Sequence, residues 1–267
     1  MKLLIDVGNT RIKVGWLAPD GQREPAPLIL APDELPERLP AWLATLPPPR
    51  AALGAVVAAP ELQARLQQLL QARSGLDIAW QVARPQALGL INGYREPHRL
   101  GADRWLSLVG LWAHPRHATA RRRGCVQVLA TFGTATTIDT ITPDGRFPGG
   151  LILPGVALMR ASLASGTARL PGAPGEPMDY PDHTLAAIQT GILAAQWGAV
   201  THQLRLAGHH HPSAPLRLVV GGGAWPELSA VARDAMAVLP EVDFEIVDNP
   251  VLDGLAALAA QSPADAA

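Results

Sequence analysis

Leu3, Leu4, Ile5 and Val7 form a short apolar run of the kind that a buried strand shows. Gly8-Asn9-Thr10 is a turn signal, and Arg11 to Trp16 then alternates polar and apolar with period two, as a half-buried strand does. Asp20-Gly21 marks a second turn. The proline-rich stretch from Pro25 to Pro49 leaves room for a helix over Asp33–Leu46, although Pro36 and Pro40 weaken it. Ala51–Ala59 reads as a buried strand, and Leu62, Leu66, Leu69 and Leu70 set a helical spacing over Pro60–Arg73. Ile78–Val82 reads as the next strand. Trp105, Leu108, Val109 and Trp112 predict an amphipathic helix that starts near Asp103. Strands and helices therefore alternate, which is the pattern of an α/β fold.

The opening layout returns later in the chain. Val126–Ala130 is apolar, a Gly- and Thr-rich turn follows at Gly133-Thr134, Ile138–Thr142 continues, and Asp144-Gly145 closes the hairpin. Gly8 and Gly133 occupy matching turns, so each half opens on a strand–glycine turn–strand unit, as an internal duplication would. The polar, basic stretch His114–Gly124 is the expected connection, giving domains over 1–120 and 121–267. The second half continues with helices near Val156–Leu163 and Thr184–Leu206, then a strand over Leu216–Val220 running into Gly221-Gly222-Gly223. A helix over Pro226–Ala237, a strand over Phe244–Val247 and an Ala-rich helix over Val251–Gln261 complete it.

Composition narrows the function more than the fold. Apolar residues make up 48% of the 267 and charged ones 17%, enough for sizeable buried cores. The 22 basic and 23 acidic residues nearly cancel. With no basic face and no row of stacking aromatics, nucleic acid is not an expected partner. Arg121-Arg122-Arg123 reads as a solvated connection. Cys125 is the only cysteine, which excludes an intramolecular disulfide and suits a reducing compartment. The first ten residues do not have the makeup of a signal peptide, and no apolar run reaches the roughly 18 residues of a membrane span. No membrane partner is expected, and the expected location is cytoplasmic.

Two glycine turns in corresponding places suggest phosphate chemistry. Glycine lets a backbone approach a phosphate, and turn N–H groups with Thr hydroxyls supply donors. Asn9, Thr10, Thr134, Thr136 and Thr137 are suitable, and Lys13 can reach toward a transferring phosphoryl group. Asp6, at the end of a buried strand, is placed to hold Mg²⁺ through water. Each has an ordinary alternative: a turn-forming Asp, a solvated Lys, a Thr-rich edge strand. Asp103 reads either as a helix N-cap or as a base accepting the proton of an attacking hydroxyl. Gly221-Gly222-Gly223 permits close approach of a flat group such as adenine, or is a plain strand-to-helix turn. His209-His210-His211 sits beside Gly208 and Pro212, in what reads as a loop without a carboxylate or Cys at ligand spacing.

Together these segments resemble the type III pantothenate kinase family, also called Bvg accessory factor. The resemblance is carried by Asp6-Val7-Gly8-Asn9-Thr10 with Lys13, by Tyr94, by Leu100-Gly101-Ala102-Asp103-Arg104-Trp105 and by Gly133-Thr134-Ala135-Thr136-Thr137. Gly149-Gly150-Leu151-Ile152-Leu153-Pro154-Gly155 and Thr184 to Gly191 extend it. It implies two related ribonuclease H-like domains of the acetate kinase, sugar kinase, Hsp70 and actin superfamily with an interdomain ATP cleft, and a homodimer. It also implies phosphorylation of pantothenate to 4′-phosphopantothenate, the first step of coenzyme A synthesis.

On that resemblance Asp6, Val7, Gly8, Asn9, Thr10, Arg11, Ile12 and Lys13 form the first phosphate loop. Gly133, Thr134 and Gly222 contact ATP, and Asp103 is the general base. Tyr94, Gly101, Ala102, Asp103, Arg104 and Thr184 line the pantothenate pocket, Thr184 reaching across the dimer. Asp6 serves Mg²⁺. A monovalent cation, K⁺ or NH₄⁺, is expected near Thr131, where the family usually carries an Asp; a neutral hydroxyl binds such an ion more weakly. That departure motivates an alternative, a catalytically weak or inactive nucleotide-binding regulatory factor on the same scaffold. The presence of Asp103 argues for the enzyme.

Overall fold

Strands β1 (Lys2–Val7) and β2 (Ile12–Leu17) form the opening antiparallel hairpin, extended by β3 (Leu28–Leu30). The computed structural model describes residues 1–167, 169–237 and 241–261. Helix α1 (Leu35–Leu43) forms despite Pro40 in its interior, held by Leu35 and Leu39 in the core. Strand β4 (Ala51–Val56), helix α2 (Pro60–Ser74) and strand β5 (Ile78–Trp80) follow, and β4 and β5 add to β1 in parallel. A small ribbon of β6 (Gln86–Ala87) and β7 (Leu90–Asn92) leads to α3 (Ala102–Ala113). The first sheet thus runs β3-β2-β1-β4-β5.

After α4 (Ala118–Arg122) the plan repeats. Strands β8 (Val126–Phe132) and β9 (Ala135–Ile141) pair antiparallel, β10 (Arg146–Phe147) is brief, and β11 (Gly149–Pro154) pairs antiparallel with β9. Helices α5 (Val156–Gly166) and α6 (Thr184–His210) precede β12 (Leu216–Gly221), α7 (Trp225–Ala237) and β13 (Asp243–Ile246). The second sheet runs β11-β9-β8-β12-β13, with the same strand directions as the first. The expected duplication is therefore present as two copies of one sheet plan. The expected loop at 209–211 is shorter than the sequence suggests, because α6 continues through His210 and His211 caps it with a bond from its N–H to the Ala207 carbonyl.

The chain divides into two units, one made of Met1–Ala118 with the segment from Asn249 onward, the other of Thr119–Asp248. The first crossing lies close to the expected boundary. The closing helix α8 (Pro250–Ala260) departs from the expected 121–267 domain, because it packs in the first unit. The reason is backbone contact. A Cβ at Gly254 would lie 2.0 Å from the Leu106 carbonyl oxygen, and one at Gly110 would lie 2.6 Å from that of Pro250. Glycines at both places let α8 and α3 meet main chain to main chain. Asp253, 2% exposed, then takes Arg23 Nε at 2.9 Å and Arg116 Nη2 at 2.6 Å.

The first sheet is buried on both faces. Leu3, Ile5 and Val7 point with Ile12 and Val14 toward α1 and α2, joined by Leu35, Leu39, Leu66 and Leu70. Leu4 points to the other face, among Leu106 of α3 and Leu252 and Leu255 of α8. Each such fully buried side chain contributes about 1.5–3 kcal/mol. In the second unit Val126, Val128, Ala130 and Phe132 meet Ile192, Trp197, Val200 and Leu204 of α6. Among the described residues, no helix is long and apolar enough to cross a membrane.

Candidate functional site

Period-two alternation along β1 decides where Asp6 goes. Leu4 and Asp6 share a face, so Asp6 emerges on the α3 side at the strand's end. Lys13 stands directly opposite Asp6 in the β1–β2 register, and such partners share a face. Burial pushes the Asp6 carboxyl up to about 6; Lys13 opposes this rise and the charge of Asp103 adds to it. The structure therefore brings Lys13 and Asp103 within electrostatic reach of Asp6 inside the first unit. In the turn itself the Gly8 N–H donates to the Arg11 carbonyl at 3.0 Å. Val7 and Ile12 are buried, whereas Asn9, Thr10 and Arg11 are exposed around it.

Asp103 lies in the first turn of α3 and does not cap it, since the N-cap position is Gly101. Its Oδ1 accepts from the Arg104 N–H at 2.8 Å. The carboxylate leans over Gly101, where a Cβ would sit 2.6 Å from Oδ1, so glycine there leaves the carboxylate its place. Arg104, expected to line the pantothenate pocket, is 7% exposed. Its Nη1 donates to Tyr94 Oη at 2.8 Å, and its guanidinium lies 5.6 Å from the Tyr94 ring centroid. Ala102 opens the helix beside them.

Asn92 organises this corner and was not singled out from the sequence. Its Nδ2 donates to the Arg84 and Pro97 carbonyls, both at 3.2 Å, and its Oδ1 accepts from the Tyr94 N–H at 3.1 Å. The Asn92-Gly93 dipeptide, a turn signal, is what was available in the sequence.

In the second unit the turn between β8 and β9 comprises Gly133 and Thr134, and the Gly133 N–H donates to the Ala135 carbonyl at 3.1 Å. Gly155, at the start of α5, donates to the Thr134 carbonyl at 3.0 Å. Gly222 adopts a positive φ of 102°, and a Cβ there would lie 2.2 Å from the Phe132 carbonyl oxygen. The Ala224 N–H donates to that same oxygen at 3.0 Å. The second turn and the glycine run thus touch through one residue. Phe132 reinforces the contact by stacking on Trp225, ring centroids 6.1 Å apart. Replacing Gly222 with alanine is expected to lower the unfolding midpoint measurably and to weaken nucleotide binding about tenfold, because both the φ and the contact demand glycine. Thermal unfolding and ADP titration check the two effects together.

Thr131 occupies in β8 the place that Asp6 has in β1, two residues before the turn glycine. Its strand partners are Thr137 and Gly221. Thr184 opens α6 and lines a groove of about 810 Å³ with Pro154, Met159, Leu163 and Ile188. Among the described residues, no cluster of His, Cys, Asp or Glu has the makeup of a metal centre, and His209–His211 forms none. The donors near Asp6 instead suit a hard cation that keeps its water: an enclosed carboxylate near a second one, with no nitrogen or sulfur ligand.

Residues 2–206 match the family model for type III pantothenate kinase. A type III pantothenate kinase from Bordetella pertussis is 48% identical over 275 residues, covering 98% of each chain. One from Albidiferax ferrireducens is 38% identical over 266 residues, covering 97% of each. Among solved structures, a Campylobacter jejuni protein described as a Baf family transcriptional activator aligns with a TM-score of 0.56 at 17% identity, covering 95% of this chain and 94% of that one. A candidate 2-dehydro-3-deoxygalactonokinase from Sinorhizobium meliloti gives 0.53 at 16%, covering 98% and 97%. These structures speak to the fold alone. By sequence, over nearly its whole length, the chain belongs to the type III pantothenate kinase family.

Proposed function

We propose that this protein transfers the γ-phosphoryl group of ATP to the primary hydroxyl of pantothenate, giving 4′-phosphopantothenate and ADP. The observation that carries the reading is the corner formed by Asp6, Lys13 and Asp103, with the Tyr94–Arg104 pair on the same helix start. Asp103 takes the hydroxyl proton as the oxygen forms its bond to the γ-phosphorus, and the bond from that phosphorus to the bridging oxygen of ADP breaks. Lys13 offers positive charge to the transferring group. We assign the turns at residues 8–11 and 133–134 to the phosphates, the Gly8 and Gly133 N–H groups being used within the turns themselves, and Gly222 to the nucleoside. Asp6 would hold a divalent cation, Mg²⁺, through water; when bound with ATP the ion neutralises phosphate charge.

Arg104, buried and held by Tyr94, is suited to the substrate carboxylate, since a guanidinium offers a planar fork of donors. On the family resemblance Thr184 reaches the pocket from a second copy, so we include a homodimer in the proposal. Thr131 gives a monovalent cation a hydroxyl and no charge, so stimulation by K⁺ or NH₄⁺ is expected to saturate only at high concentration. The cytoplasm, where ATP and Mg²⁺ are abundant, is the fitting location.

A substrate panel tests the reading. Pantothenate, N-acetylmannosamine and 2-dehydro-3-deoxygalactonate are incubated separately with ATP and Mg²⁺, and products are read by mass spectrometry. Phosphorylated pantothenate alone is the expected product. A phosphorylated sugar in its place would overturn the substrate assignment while leaving the kinase.

A further inference from the structure

One buried cation in the second unit has no part in the chemistry above. Arg160 sits on α5 with its side chain 13% exposed. Its Nη2 donates both to Gln189 Oε1 of α6 and to Glu227 Oε2 of α7, each at 2.9 Å. Gln189 is itself only 4% exposed. The Arg160 Nε is fully buried and has no hydrogen-bond partner among the described residues.

The two helices that Arg160 links each start on a nucleotide turn. Gly155, just before α5, is bonded to Thr134. Glu227 lies in the first turn of α7, where its N–H donates to the Ala224 carbonyl, directly after the glycine run. Stability alone is a poor reason for this arrangement. Glu227 is 45% exposed, and ion pairs with one exposed partner contribute little. A buried guanidinium N–H left unmatched is a liability that an apolar side chain would avoid.

We propose that Arg160 is a positioning residue for the nucleotide: through Glu227 it fixes the glycine run relative to the Gly133–Thr134 turn, so that one ATP spans both. The inference rests on the assignment of those turns to ATP. Arg160 acts through Glu227 and α7, and it touches no reacting atom. Its loss leaves the glycine run held by its contact with Phe132, so the start of α7 can tilt about that contact while the phosphate turn stays pinned by Gly155. The effect falls on nucleotide affinity and spares the pantothenate side.

Arg160→Met keeps much of the side chain's bulk and removes the donors. ADP titration by calorimetry, thermal unfolding and steady-state kinetics are compared for the wild type, R160M, E227Q and the R160M/E227Q double variant. The expected result for R160M is about tenfold weaker ADP binding and a matching rise in KM for ATP, with kcat and KM for pantothenate within about twofold and the melting temperature unchanged. E227Q keeps an acceptor and should lose about threefold. The double variant should be no worse than R160M, since one contact is lost in both. Unchanged ADP affinity in R160M overturns the proposal, as does a fall in melting temperature with both KM values and kcat shifting together. A wild type that binds ADP but does not phosphorylate pantothenate sinks the substrate reading, and the ADP titrations still decide the role of Arg160. A wild type that binds no ADP overturns both.

Discussion

Asp103→Asn is expected to lower kcat by about a hundred- to ten-thousand-fold, the usual contribution of a positioned general base. KM for ATP and affinity for ADP should stay within about twofold. The substitution is a clean one because the native Oδ1 accepts from the Arg104 N–H at 2.8 Å, and the Asn side-chain oxygen can accept the same bond. The start of α3, and with it the Arg104–Tyr94 pair, keeps its geometry while the carboxylate proposed as proton acceptor is lost. Steady-state ADP release and calorimetric ADP binding, read on one preparation, separate these effects. Full activity in D103N would remove Asp103 from the chemistry. Loss of binding together with turnover would make it structural.

Asp6→Asn should divide function from stability in the opposite way. Turnover is expected to fall by more than a hundredfold, because the carboxylate proposed to hold the divalent cation is gone, and the melting temperature is expected to rise. The sign follows from the pKa. Asp6 titrates at about 6 in the folded protein against an ordinary 3.8, so between those values the folded chain holds a proton that the unfolded chain has released. Stability therefore falls as pH rises through that window, and above it the folded protein bears the full penalty of a buried charge.

A rise from 3.8 to about 6 corresponds to about 3 kcal/mol, and partial solvent contact reduces this to about 1–2 kcal/mol. Asn carries no such penalty. The wild type should also need more Mg²⁺ as the pH drops below about 6, since a protonated Asp6 must lose its proton to hold the ion. Thermal unfolding of both proteins at pH 5 and pH 7.5 checks this: the gap between them should be wide at 7.5 and narrow at 5. A less stable D6N at pH 7.5 would contradict the account.

Features set by local patterning were legible in the sequence. The two hairpins were, because an apolar run ended each time at a glycine turn with an Asp-Gly turn beyond it. The helix from Ala102 was readable from Trp105, Leu108, Val109 and Trp112. The placement of α8 was not. It depends on Gly110 and Gly254 meeting across more than a hundred residues of chain, and a single glycine in a helical pattern announces no partner. The buried state of Arg104 was hidden for a similar reason, since an arginine's default is the surface and Tyr94 becomes its partner only through the loop that Asn92 holds. Arg160 lay in an unremarkable helical stretch, and its importance rests on side chains from two other helices.

The central claim is that pantothenate is the phosphoryl acceptor, and ADP release from the purified protein tests it most directly. With ATP and Mg²⁺ present, the account predicts that ADP appears only when pantothenate is added, in a one-to-one ratio with 4′-phosphopantothenate, and that raising NH₄⁺ increases the rate. ADP release that is indifferent to pantothenate, or no release at any salt from a protein that binds ADP, would contradict it.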